Sequence, residues 1–139
     1  MPQFKSNLDT QWLSKIADFI EETAHALGVQ DPNVIYDLKL AVDEACTNIM
    51  THGKKSQKKD HLLIQMGRQM NKQDRIIEVA ITDFGNAFPF QKMTLPLKDL
   101  SIEEKLKNGF GVGLIKSVME KTEYKSFPDK NILRLYKYF

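Results

Sequence analysis

One cysteine in 139 residues, Cys46, leaves no partner for an internal disulfide and too few thiolates for a cysteine-rich zinc site. That usage suits a reducing compartment. No apolar run approaches the roughly 18 residues a membrane-spanning helix needs. The opening Met1-Pro2-Gln3-Phe4-Lys5 lacks the apolar stretch of a secretory signal. Excess charge is missing too. Twenty Lys and Arg face 18 Asp and Glu, and a net +2 is too little to attract nucleic acid or an anionic bilayer. Internal repeats, low-complexity tracts and linkers are absent, so residues 1–139 are expected to form a single domain. The expectation is a small cytoplasmic protein with neither a nucleic-acid nor a membrane partner. What is present is ordinary for a globular chain, 42% hydrophobic and 27% charged.

Periodicity places the elements. Leu13, Ile16, Ile20, Thr23, Ala24 and Leu27 recur at helical spacing, with Asp9 or Thr10 to cap the start and Gly28 to close the end. Asp31-Pro32 reads as an N-cap followed by a first-turn proline, opening a second helix through Ile35, Leu38, Val42, Ala45 and Ile49 to about Gly53. Leu62/Ile64/Met66 and Ile77/Val79/Ile81 alternate as strands, joined by a polar hairpin from Met70 to Asp74. A third helix is expected from about Val112 to Met119. Two strands then flank Pro128-Asp129, and Gln3 to Asn7 can add an edge strand. This order predicts an α+β sandwich with helices on one sheet face. Asn86 to Asn108 has two prolines and no sustained period apart from a short capped piece at Ser101 to Lys107. Its apolar Phe88, Phe90, Leu95 and Leu97 suggest a partly packed lid over residues 86–108.

Three short patterns can carry chemistry. Glu44 and Asn48 stand four apart, on one face of the second helix beside its apolar stripe. An Asn oxygen is a hard neutral donor suited to Mg²⁺, and a Glu can act as a general base or position a water. Asp83-Phe84-Gly85 ends a strand, where a carboxylate can accept a hydrogen bond from a ligand amine and glycine lets backbone come close. Gly109-Phe110-Gly111-Val112-Gly113 opens the third helix, where free N–H groups and the helix dipole favour phosphate. It is neither a Walker A loop nor a Rossmann fingerprint, lacking Gly-Lys-Ser/Thr and the βαβ context. Each pattern alone also fits a plain helix surface, a common Asp/Gly turn or a helix start.

Taken in order, the three patterns and the long connection resemble the N, G1 and G2 boxes of the GHKL ATPase superfamily, which includes gyrase, the ninety-kilodalton heat-shock protein, histidine kinases and MutL. The likeness runs from Ile35 through Phe139. Leu40-Ala41-Val42-Asp43-Glu44-Ala45-Cys46-Thr47-Asn48 and Asn86-Ala87-Phe88-Pro89-Phe90 look most like the small anti-sigma-factor serine/threonine kinases of bacterial partner switching. The resemblance implies a two-layer α/β sandwich with a mixed sheet, ATP and Mg²⁺ as cofactors, and an ATP lid over the site. Glu44 would be the catalytic base or hydroxyl-orienting carboxylate, and Asn48 the Mg²⁺ ligand. Asp83 would accept the adenine amine, with Gly85 giving the ring room. Gly109, Gly111, Val112 and Gly113 would meet the phosphates. Two positions depart from the pattern. Ala87 replaces a frequent glycine, and Lys130-Asn131 stands where Gly-Thr often opens the last strand, so Asn131 would substitute for a threonine near the nucleotide.

The resemblance further implies a kinase that binds a sigma factor and phosphorylates a STAS-domain anti-anti-sigma protein, and it suggests a homodimer. Lys130-Asn131 favours an alternative, a catalytically silent nucleotide-binding partner trap of the same fold. A detached histidine-kinase domain fits less well, because none of His25, His52 or His61 has the acidic neighbour and downstream proline of a phosphoacceptor. Lys54, Lys55, Lys58 and Lys59 read as a solvated loop, His52 as a helix-end histidine favouring the dipole, and Trp12, Cys46 and the methionines as packing residues.

Overall fold

A computed structural model describes residues 1–71, 73–88 and 110–139. In chain order these form β1 (Gln3–Asn7), a 3₁₀ turn (Thr10–Trp12), α1 (Leu13–Ala26), α2 (Pro32–His52), a second 3₁₀ turn (Lys54–Ser56), β2 (His61–Met70), β3 (Arg75–Asp83), α3 (Phe110–Val118), β4 (Lys121–Ser126) and β5 (Asn131–Tyr138). Local chemistry sets the helix ends as the sequence suggests. Asp9 accepts from Gln11 N at 2.9 Å to start the turn that leads into α1, and Asp31 accepts from Asn33 N at 2.9 Å with Pro32 in the first turn of α2. Gly28, at φ +99°, ends the α1 segment in the left-handed region that glycine enters without steric cost.

The five strands lie in the order β1-β2-β3-β5-β4. All four pairings are antiparallel, so the expected mixed sheet is not found among the described residues. The reason is the position of β5. The strands β3 and β4 run parallel to each other, as a crossover through α3 would leave them. The tight β4–β5 turn then folds β5 back into the gap between them, antiparallel to both.

Alternation decides which face is covered. Leu62, Ile64 and Met66 of β2, Ile77, Val79 and Ile81 of β3, and Leu133 and Leu135 of β5 point inward and are buried. They join one core with Ile16, Ile20 and Ala24 of α1, Leu38, Val42 and Ala45 of α2, and Val112 and Ile115 of α3. Each buried Val, Leu, Ile or Met among them contributes about 1.5–3 kcal/mol by leaving water. The other face carries Gln65, Glu78 and Arg134, partly exposed, with Glu78 and Arg134 3.6 Å apart. The two-layer α+β sandwich is therefore as expected, with its helices on one side. Of the anticipated lid, residues 86–88 are described; residues 89–108, including the piece Ser101 to Lys107, lie outside the described residues.

Candidate functional site

Register brings the polar end of the sheet together. Asp83, the last residue of β3, continues the inward series Ile77-Val79-Ile81, so its side chain faces the helix layer. Its partner across the ladder is Asn131, the first residue of β5, which in turn pairs with Ser126, the last of β4. A hydrogen-bonded chain crosses the three strands: Ser126 Oγ donates to Asn131 Oδ1 at 2.8 Å, and Asn131 Nδ2 donates to Asp83 Oδ1 at 3.0 Å.

Asp83 is only 8% exposed, and the same Oδ1 also accepts from Gly85 N at 3.1 Å and Gln57 Nε2 at 3.2 Å. Three donors therefore converge on one carboxylate oxygen. Oδ2 accepts from no described residue, yet no buried side-chain oxygen or nitrogen of the described chain lacks a partner, so Oδ2 reaches open space. An ionised carboxylate can only accept, so this oxygen suits a ligand N–H.

Beside Asp83 lies a cavity of about 330 Å³ between the sheet end and the helices. Ile81, Asp83, Leu133 and Tyr124 line it from the sheet, and Ala45, Asn48, Ile49 and His52 from α2. Val112 and Ile115 of α3 form a further wall, while residues 53 and 55–57 and residues 86–88 border the rest. Apolar surface predominates in the walls, although nearly half of the lining residues carry a polar side chain, a mixture common in sites for small molecules. Tyr124 Oη accepts from Phe88 N at 2.9 Å, which ties the segment after β3 across the mouth; burial pushes the Tyr124 hydroxyl pKa up.

The sequence-selected residues divide in space. Asp83, Asn48 and Val112 meet in the cavity. Glu44 sits one turn before Asn48 on α2, half-buried and outside the cavity lining. Burial, and then the neighbouring Asp43 carboxylate, raise its pKa above the ordinary glutamate range. Neither Glu44 nor Asn48 bonds through its side chain to any described residue. Gly113 lies in the first turns of α3, Gly111 within that helix, and Gly109 outside the described residues.

Asn131 does not line the cavity. It stands behind Asp83, 1% exposed, and also donates to Gly85 O at 2.9 Å, so it braces the carboxylate. Gly85 likewise has a reason internal to the protein. A Cβ there would stand 2.6 Å from Ser56 Oγ and run into Gln57 Nε2. Ser56 and Gln57 were missed by pattern reading; their only sequence signal is that two uncharged residues interrupt a run of lysines. Lys55, read as part of a solvated loop, and His52, read as a helix-end histidine, are exposed but border the cavity. No cluster of three or more His, Cys, Asp or Glu occurs among the described residues, so metal held by the protein alone has no cage there.

The comparisons with known proteins agree with this geometry. A family model described as "Histidine kinase-like ATPase domain" matches residues 7–137. The chain belongs to the histidine kinase-like ATPase domain family. Among curated relatives, this family member is 29% identical over 96 residues to the serine-protein kinase RsbW of Bacillus velezensis, covering 66% of this chain and 58% of the relative. It is 32% identical over 90 residues to serine-protein kinase RsbW of Bacillus subtilis, covering 62% and 54%. The same name and identity recur in Bacillus anthracis, at 62% and 53% coverage. The chain thus spans a little over half the length of the curated relatives it matches. No helix among the described residues is long and apolar enough to cross a membrane.

Proposed function

We propose that this histidine kinase-like ATPase domain is an ATP- and Mg²⁺-dependent protein serine/threonine kinase acting as an anti-sigma factor. It would hold a sigma factor and phosphorylate a STAS-domain anti-anti-sigma protein. The observation that carries the reading is Asp83, which lines a largely apolar cavity and keeps Oδ2 without a donor, on the same chain whose relatives are named serine-protein kinases.

In this reading adenine enters the cavity and its amine donates to Asp83 Oδ2. The phosphates extend toward the start of α3, where Gly111, Val112 and Gly113 lie and where, as the resemblance implies, Gly109 would join them in offering backbone N–H groups. The single hard oxygen of Asn48 fits a metal that arrives already carried by phosphates, and Mg²⁺ there would neutralise phosphate charge. The substrate hydroxyl oxygen bonds to the γ-phosphorus as the bond to the bridging oxygen breaks. The electron pair leaves with ADP, and Glu44 takes the hydroxyl proton. Its raised pKa brings this carboxylate closer to the proton affinity a base needs near neutrality.

The regulatory logic is competition. An unphosphorylated antagonist displaces the sigma factor, and a phosphate on it blocks docking through charge and bulk. A homodimer in the cytoplasm belongs to the same reading.

Lys130-Asn131 supports a second reading, a nucleotide-gated trap that transfers nothing. A phosphotransfer assay with Mg-ATP and the STAS-domain proteins of the same genome separates the two. Phosphate on an antagonist serine or threonine supports the kinase. Micromolar ATP binding without transfer to any candidate supports the trap, and absence of ATP binding removes both.

A further inference from the structure

We infer that Gln57 is a positioning residue for the nucleobase, fixing which oxygen of Asp83 the ligand meets. The inference rests on the reading of the cavity as a nucleotide site and deepens it. Gln57 lies in the loop between α2 and β2, and its amide joins three parts of the site. Nε2 donates to Gly53 O at the C-cap of α2 at 3.1 Å and to Asp83 Oδ1 at 3.2 Å. Oε1 accepts from Phe84 N at 2.8 Å. One side chain thus spans from the helix that carries Asn48 to the strand end that carries Asp83, and it lines the cavity.

The bond to Asp83 has a directional consequence. A carboxylate turns easily about its last torsion, so its orientation is set by its partners. Gln57, Gly85 N and Asn131 Nδ2 approach Oδ1 from three different segments. Together they saturate that oxygen and leave Oδ2 as the acceptor in the cavity. A base with an exocyclic amine gains a charge-assisted hydrogen bond there, whereas one without it gains none. A second, independent observation ties the loop to the motif. The space a Cβ of residue 85 would occupy is filled by Ser56 Oγ and the Gln57 amide, so the glycine two residues after Asp83 leaves room for this strap.

The test is a cycle that removes the ligand's amine and the protein's strap separately. Binding of Mg-ADP and of magnesium purine riboside diphosphate, which lacks the 6-amino group, is measured by calorimetry on the full chain and on Gln57→Met. Gly85→Ala is the second variant, displacing the amide while keeping Gln57. The wild-type chain is expected to prefer ADP by about tenfold or more, the fold-change of a hydrogen bond to a charged group. Either variant should cut that preference at least threefold. If both affinities fall together and the preference stays at its wild-type value, Gln57 acts on structure alone and the inference is overturned. If the wild-type chain binds ADP without preferring it, the inference also fails while the nucleotide site stands. If it binds neither ligand, the nucleotide reading itself has failed.

Discussion

The two walls of the cavity are built on opposite plans. On the sheet side, Asp83 is buried and held by three donors, and Asn131 behind it is saturated by Ser126, Asp83 and Gly85. On the helix side, Asn48, and Glu44 one turn before it and outside the lining, lie on α2 with no side-chain bond to any described residue. The first arrangement suits a task that is the same in every binding event, recognition of a base edge, since preorganised groups need no rearrangement when the ligand arrives. The second suits groups whose partners, phosphates and a substrate hydroxyl, come from outside. Binding and chemistry are therefore expected to respond separately to substitution.

Glu44→Ala gives the largest separation. Phosphotransfer to the antagonist should fall by roughly 10²–10⁴-fold, the usual contribution of a positioned base. Nucleotide affinity should stay within about threefold, read by calorimetry beside the transfer assay. A wild-type transfer rate in this variant would remove the catalytic assignment and with it the division between the walls.

On the sheet side the expected effect falls first on stability. Asn131→Ala deletes a buried amide and leaves Gly85 O and one donor to Asp83 unreplaced, which should cost about 1–3 kcal/mol in chemical denaturation. A loss under about 0.5 kcal/mol would mean that the bracing of Asp83 is dispensable.

The smallest effect concerns pH. The pKa of Glu44 is raised in the folded chain, so the fold takes up a proton there more readily than the unfolded chain does. Stability from this group is full below the unfolded carboxylate pKa and declines as pH rises through the higher folded value. Glu44→Gln should therefore raise the melting temperature slightly at pH 7, and the gain should vanish on acidification through the carboxylate range. A gain that grew at low pH would contradict the assigned cause, which is burial reinforced by Asp43.

How much of this could be read in advance follows from the range of the forces involved. Caps and alternation are local, so Asp31-Pro32 announced α2 and Ile77-Val79-Ile81 announced β3; Asp83 extends that alternation onto the core face in the structure. The sheet order was out of reach, because the insertion of β5 between β3 and β4 depends on tertiary packing. With it went the true place of Asn131, which pattern matching set near the nucleotide and register sets behind Asp83. Gln57 was invisible for a similar reason: its bond to Asp83 joins residues 26 apart, and no spacing rule covers such a pair. Gly85 was marked as a residue giving the adenine ring room. The partner that comes close is the Ser56-Gln57 loop.

The most direct measurement is a calorimetric titration of Mg-ATP into the wild-type chain and into Asp83→Asn. Asn loses the charge, and with its oxygen kept by the bracing donors its NH₂ takes the place of Oδ2, where it cannot accept. The account predicts saturable binding to the wild-type chain and affinity weaker by about 10- to 100-fold in the variant, the range of a lost hydrogen bond to a charged acceptor. Equal affinities in the two proteins, or no binding to the wild-type chain, would contradict it.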